Sequence, residues 1–170
     1  EKYAPGGYAW VFPKSEETAN VGLGVRKKHK MPPLEYLKIF VDNDPRFKDA
    51  EITRVGGGVC PVSGTLDQII DDGLMLVGDA AGQLIPCTGA GIHSAIEAGK
   101  IAGRIAAEAV MERDVSSKRL SQYRREFDVY WGKRILDSRK VVELLDKFTD
   151  EDLNLLADVI TNQDILDLAN

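Results

Sequence analysis

Residues 74–92 read LMLVGDAAGQLIPCTGAGI, and this stretch decides the fold. Its first four apolar residues predict a strand over 74–77 that is buried on both faces. Asp79 follows this strand closely, so its carboxylate would lie at the carboxyl edge of a sheet. From Gly89 onward the apolar spacing becomes helical. The stretch therefore predicts a strand, a loop and a helix.

The same stretch suits a ligand that has a sugar and an anionic edge. Asp79 could accept hydrogen bonds from sugar hydroxyls, and a helix beginning at Gly89 would present N–H groups at residues 89–92. Pro86 fixes the loop, and small residues let a planar ligand approach the backbone. Negative charge at the N1–C2=O side of a reduced flavin would fit there. The alternative is that Asp79 is only a turn residue and the glycines only a tight helix start.

The N-terminal part of the sequence predicts a β-hairpin. Two aromatic or β-branched runs flank the polar segment 13–18. Strand alternation places Tyr8, Trp10 and Phe12 on one face. That face is either ordinary sheet core or a wall for an apolar ligand.

The other segments predict mainly helices. Residues 34–41 follow two prolines and have helical apolar spacing, whereas residues 50–62 have strand-like composition. Residues 118–148 predict a long helical segment, and Thr149 is a candidate N-cap for a last helix. Small residues recur along the helix after residue 89 and predict close packing of that side: Ala95, Gly99, Ala102, Gly103 and Ala106.

Composition and charge are those of an ordinary globular protein. The 170 residues are 44% hydrophobic and 29% charged, enough to bury a core. A net charge of -5 argues against a general nucleic-acid binder. Cys60 and Cys87 form no CxxC motif, so we expect no metal site and a reducing, cytoplasmic location. Charged residues interrupt the apolar stretch 89–110, which argues against a membrane span, while peripheral membrane contact stays open.

Two motifs together resemble those of a known flavoprotein family. LVGDAAG at 76–82, Pro86 and TGAGI at 88–92 resemble the second FAD-binding motif of the aromatic-hydroxylase-like superfamily. PGGYAWVFP at 5–13 and VGLG at 21–24 resemble the PxxYxWxFP and VGxG segments of geranylgeranyl reductases. Both motifs have the expected order and separation, and the resemblance covers about residues 3–112. One departure is Ala90, where many members have a third glycine.

The resemblance implies an α+β chain that is a fragment of the aromatic-hydroxylase-like FAD-dependent fold. It implies reduction of C=C bonds in geranylgeranyl chains, on an archaeal-type membrane lipid or a related prenyl compound, by hydride from reduced flavin. Three segments follow: a substrate-binding sheet region at 1–70, the second FAD-binding motif at 71–113 and a helical C-terminal region at 114–170. Neither the electron donor nor a catalytic residue is indicated.

The resemblance also assigns site residues. Asp79 would contact the ribitol or pyrophosphate region of FAD, and residues 89–92 would face the N1–C2=O edge of the flavin. Tyr8, Trp10 and Phe12 would line the prenyl pocket. The cofactor-binding set consists of Gly78, Asp79, Ala80, Ala81, Pro86, Thr88, Gly89, Ala90, Gly91 and Ile92.

The family's N-terminal strand–GxGxxG–helix unit, which carries the ADP half of FAD, has no counterpart in this sequence. Gly22 and Gly24 lack the third glycine of that motif. We therefore expect a C-terminal portion of a longer enzyme, which alone is inactive and binds FAD weakly or not at all. Two alternatives stay open: a monooxygenase or quinone-linked dehydrogenase of the same superfamily, and a non-enzymatic lipid-binding module.

Overall fold

The computed structural model describes residues 2–26 and 30–160. These residues form helices and two small antiparallel sheets, so the predicted α+β class is confirmed. The chain divides by its contacts into two compact units: Glu1–Gly56 with Thr149–Asn170, and Gly57–Phe148. The functional segments 1–70, 71–113 and 114–170 follow other boundaries and stay a prediction; residues 161–170 lie outside the described residues.

The first unit contains the predicted hairpin. Strand β1 (Ala9–Pro13) pairs antiparallel with β2 (Ala19–Leu23), in a register that places Trp10 opposite Gly22. The connecting turn is closed by Lys14 N–H, which donates to the Thr18 carbonyl at 2.8 Å. The hairpin prediction is confirmed. The alternating aromatic run and the polar turn lie close together in the sequence, so they favour this hairpin without contacts from distant segments.

Two helices complete the first unit. Helix α1 (Pro33–Asn43) has a proline in its first turn. Its C-cap is Asp44, which has an extended backbone because it precedes a proline. Helix α6 (Asp150–Val159) begins at a capping box in which Thr149 and Asp152 satisfy each other's backbone N–H groups. Both predicted helix starts are confirmed.

The strand prediction for residues 50–62 is wrong. Residues 50–61 form no regular element, and the side chains of Ile52, Val55 and Val59 are exposed, Val59 by 94%. A strand needs a neighbouring backbone to satisfy its N–H and C=O groups, and no strand in the described residues pairs with this segment. Composition alone therefore misassigned it.

The second unit contains a short hairpin and four helices. Strands β3 (Ile70–Asp71) and β4 (Leu74–Met75) pair antiparallel. The helices are α2 (Ile92–Glu112), α3 (Ser117–Leu120), α4 (Gln122–Phe127) and α5 (Lys133–Leu145). The buried side of α2 packs with α4 and α5 into one apolar cluster that includes Ala98, Ile105, Tyr123, Phe127 and Ile135. This cluster is the core that supports the site.

The predicted helical segment 118–148 is helical from Ser117 to Leu145 apart from a turn at Ser121, and α4 continues into α5 through a π-helical turn, Asp128–Gly132. Glycine is required at Gly132, since a Cβ there would lie 2.9 Å from the Asp128 Cβ. No helix in the described part of the chain is both long and apolar enough to span a bilayer.

Two predictions about burial are wrong. The strand predicted over 74–77 is only two residues long, and Leu74 is 50% exposed, because among the described residues β4 pairs with β3 alone and is not inside a larger sheet. On α2, Gly99 and Gly103 are exposed, and a Cβ at either would meet nothing within 4 Å. The helix packs instead through Ser94, Ala98, Ala102, Ile105 and Ala109.

Candidate functional site

Asp79 lies in a single 3-10 turn, Gly78–Ala81, and not at the end of the strand as predicted. Gly78 has φ +61° and Gly82 has φ +67°, conformations that favour glycine. Gly78 and Ala81 are buried, whereas Asp79 and Ala80 are exposed. A buried frame thus presents the Asp79 carboxylate at the surface.

The loop before α2 forms a second tight turn. Ile85 N–H donates to the Ala90 carbonyl, and Gly89 N–H donates to the Ile85 carbonyl, both at 2.8 Å. Ala90 N–H donates to Thr88 Oγ1 at 3.2 Å. The prediction that the helix begins at Gly89 is wrong: Gly89 has φ +69°, and its N–H and that of Ala90 are already used within the turn.

Helix α2 begins at Ile92, with Gly91 as its N-cap. The N–H groups of Gly91 and Ile92 meet no acceptor among the described residues. They lie at the positive end of the helix dipole, and the Ile92 side chain is 81% exposed. Two of the four predicted N–H donors therefore remain available to an anionic group.

The Asp79 turn and the start of α2 border one depression. It has a volume of about 250 Å³ and is lined by Asp79, Gly89, Gly91, Ile92 and Ala95. A Cβ at Gly91 would lie 3.0 Å from the Leu84 Cβ and 3.4 Å from Asp79 Oδ1. Gly91 therefore keeps the backbone accessible beside the carboxylate.

The other members of the predicted set surround this depression without lining it. Gly78, Ala81 and Pro86 are buried in the two turns that carry the lining residues. The Thr88 hydroxyl bonds within its own turn. The structure thus brings Asp79, Gly89, Gly91 and Ile92 to one surface and gives their neighbours supporting positions.

A buried polar network behind the depression was not predicted from the sequence. Gln83 is 0% exposed, and its Nε2 donates to the hydroxyl of Tyr123 at 2.6 Å. That hydroxyl donates to the Leu76 carbonyl at 3.0 Å, and burial raises the pKa of Tyr123. The sequence offered one signal for this network: Gln83 is a polar residue within a run of small and apolar residues. Tyr123 lies 40 residues farther along the chain, so no local pattern links the two.

Three other reactive side chains lie outside the depression. Cys87 is half-buried, with its N–H donating to Ser138 Oγ at 2.9 Å, and Cys60 is exposed. His93 is exposed on α2 and packs edge-on against Trp131, with ring centroids 5.3 Å apart. None of these contacts brings two of the three reactive side chains together.

The aromatic residues of the first unit form the predicted row. Ring centroids are 5.8 Å apart for Tyr8 and Trp10, and 6.0 Å apart for Trp10 and Phe12, whose planes are stacked. Tyr8 is 47% exposed and Phe12 is 57% exposed. The shared face is confirmed, and within the described residues it is a surface and not a sheet core.

Comparison with known proteins agrees with both motifs. Residues 1–60 match the model of the geranylgeranyl reductase catalytic domain. The chain is 41% identical over 167 residues to digeranylgeranylglycerophospholipid reductase 3 of Methanosphaera stadtmanae, covering 98% of this chain and 42% of the relative. It is 43% identical over 160 residues to digeranylgeranylglycerophospholipid reductase of Methanocaldococcus jannaschii, covering 92% of this chain and 40% of that protein.

A solved structure has the same fold. The crystal structure of a geranylgeranyl bacteriochlorophyll reductase-like protein from Thermoplasma acidophilum matches with a TM-score of 0.87 and 33% identity, covering 97% of this chain and 44% of that protein. The chain spans about 40% of the length of the curated relatives described above. Similarity at this level extends over both motifs, and the predicted resemblance to geranylgeranyl reductases is confirmed.

Proposed function

We propose that the whole protein is an FAD-dependent reductase that saturates C=C bonds of geranylgeranyl chains, on an archaeal-type prenyl lipid or a related prenyl compound. The names of the digeranylgeranylglycerophospholipid reductases support the substrate class. One observation supports the assignment of the cofactor: the Asp79 turn and the start of α2 border the same depression. In this proposal the chain is a fragment of the aromatic-hydroxylase-like FAD-dependent fold.

The residues around the depression fit one part of a flavin cofactor. Gly91 leaves the backbone open, its N–H and that of Ile92 meet no acceptor in the part of the chain that the structure describes, and Asp79 offers a carboxylate. The volume of about 250 Å³ lies below the roughly 300–1,000 Å³ of complete ligand sites. The chain therefore supplies part of a cofactor site.

Each lining residue has a distinct role in this proposal. FAD, when bound and in its reduced form, would supply the hydride that reduces the alkene, which would also take up one proton. Asp79 would hold the ribitol or pyrophosphate region by accepting hydrogen bonds. The N–H groups of Gly91 and Ile92 would stabilise negative charge at the N1–C2=O edge. Gly89 and Ala90 would shape the turn without donating, since their N–H groups are already bonded.

The aromatic row would serve the substrate. Tyr8, Trp10 and Phe12 present a continuous apolar face that matches an isoprenoid chain, and exclusion of water there would favour hydride transfer to an alkene. Because the substrate would be a membrane lipid, the proposal includes peripheral contact with a membrane surface. No specific observation favours a monooxygenase, a quinone-linked dehydrogenase or a non-enzymatic lipid-binding module.

The test uses the full-length protein. Its visible spectrum would be recorded, and a geranylgeranyl lipid would be incubated with it under dithionite, with flavin-depleted protein as the control. Bound FAD together with saturated product supports the proposal. FAD without saturation would reject the reductase chemistry, and protein that takes up no FAD would reject the cofactor.

A further inference from the structure

We infer that Gln83 and Tyr123 position Asp79 against the start of α2, and so set the affinity of the site for its flavin. The inference rests on the proposed function, since it concerns the same depression. Neither residue lines that depression. Both are 0% exposed, so they would act through the residues that do.

Gln83 closes the turn that carries Asp79. Its side-chain Oε1 accepts from Gly78 N–H at 2.8 Å, and its own backbone N–H donates to the Gly78 carbonyl at 3.0 Å. Both hydrogen-bonding groups of Gly78 are therefore held by one residue. Because the turn is a single 3-10 turn with little stability of its own, these two bonds help to hold Asp79 in place, together with the Gly82 N–H, which donates to the Asp79 carbonyl at 3.0 Å.

Gln83 also connects this turn to α2. Its backbone carbonyl accepts from Ser94 Oγ at 2.5 Å, and Ser94 belongs to the first turn of α2. The same hydroxyl lies 3.1 Å from the Gly91 carbonyl. The carboxylate on one side of the depression and the N–H donors on the other are thus joined through Gln83.

Tyr123 fixes the orientation of the Gln83 amide. The hydroxyl of Tyr123 accepts from Gln83 Nε2 at 2.6 Å and donates to the Leu76 carbonyl at 3.0 Å. With Nε2 held by this hydroxyl, Oε1 is turned toward Gly78 N–H. Loss of the hydroxyl would leave a buried amide donor unsatisfied, and the amide would then leave its present geometry.

The test is a Tyr123→Phe variant of the full-length protein, with FAD titrated into flavin-depleted enzyme at a temperature where all variants are folded. We expect about tenfold weaker FAD binding and a shifted visible spectrum of the bound flavin. Tyr36→Phe is the chemical control, because it also removes a buried hydroxyl, one that accepts from Lys30 N–H in the first unit. Its FAD affinity should equal that of the wild type.

A second control separates positioning from stability. Ile135→Val removes one buried methylene outside the network and should lower the melting temperature without changing FAD affinity. If Tyr123→Phe binds FAD as tightly as Ile135→Val does, the inference is overturned. This holds whatever the melting temperature of Tyr123→Phe. Wild-type protein that binds no FAD would instead overturn the proposed function, so the two failures are distinguishable.

Discussion

The indole of Trp10 lies across Gly22, its partner in the neighbouring strand. A Cβ at Gly22 would lie 2.3 Å from Cζ2 and 2.6 Å from Cε2 of the indole. The indole N–H donates to Asn20 Oδ1 at 2.8 Å, which holds the ring over the glycine. The position of the central ring in the aromatic row thus depends on the absence of a side chain at Gly22.

Gly22→Ala should therefore displace Trp10. We expect a loss of about 1–3 kcal/mol in the free energy of unfolding, as for overpacked cores, and a lower rate of geranylgeranyl reduction. Gly24→Ala is the matched control, since a Cβ there would meet nothing within 4 Å. Urea unfolding and the initial rate would be compared for both variants of the full-length protein. Equal behaviour of the two would contradict the proposed dependence.

Asp79→Asn should weaken FAD binding by about tenfold or more, because a charged hydrogen-bond acceptor would be lost from the site. Its melting temperature should change little, since Asp79 is exposed and accepts no side-chain hydrogen bond among the described residues. Asp67→Asn, an exposed carboxylate of the same unit outside the depression, serves as control. An unchanged dissociation constant for Asp79→Asn would remove this residue from the site.

The 170-residue chain alone should copurify with less than one FAD per chain. Its depression of about 250 Å³ is smaller than the roughly 300–1,000 Å³ of complete ligand sites, and its sequence contains no GxGxxG motif that could bind the ADP half of FAD. Absorbance of the purified chain near the flavin bands measures this directly. A yellow protein with stoichiometric FAD would show that the missing contacts are unnecessary.

Gly99→Ala should stabilise the isolated chain by about 0.5–1 kcal/mol, because alanine is the better helix former and the position is open. Gly91→Ala should destabilise it, since the added Cβ would lie 3.0 Å from the Leu84 Cβ. Urea unfolding of both variants compares the effect of an added methyl group at the N-cap of α2 with its effect inside the same helix. Destabilisation by Gly99→Ala would mean that this face of α2 is packed.

Stability should fall in acid partly through Glu112. Its hydrogen bond from Arg119, at 2.5 Å, lowers the pKa of Glu112 below the ordinary value of 4.5. A lowered folded-state pKa stabilises the protein above the unfolded value, and this contribution is lost as pH falls through the folded value. Glu112→Gln should therefore have a slightly lower melting temperature at neutral pH, because exposed ion pairs contribute little.

The difference in melting temperature between Glu112→Gln and the wild type should begin to narrow as the pH falls below 4.5 and should close once the pH falls below the lowered folded-state pKa of Glu112. High salt should reduce it at neutral pH, because the pair is partly exposed. A difference that stays constant from pH 7 to acid would contradict the assigned pair.

The candidate site was predictable in its location but not in its hydrogen bonding. Asp79, Gly91 and Ile92, which the motif grouped as cofactor-binding residues, line one depression, and their contact with FAD stays a prediction. Gly89 was expected to donate from a helix, yet its positive φ and its bond to Ile85 place it in a turn. Glycine permits both conformations, so a glycine-rich stretch cannot indicate by itself where a helix starts.

The sequence by itself determined the features that depend on near neighbours. The shared face of Tyr8, Trp10 and Phe12 and the capping box at Thr149 follow from alternation and spacing within a few residues. Only the tertiary structure decided that Gln83 bonds Tyr123 and that residues 50–61 pair with no strand among the described residues. Such contacts join segments that are distant in the chain, and their hydrogen-bond partners leave no trace in local periodicity.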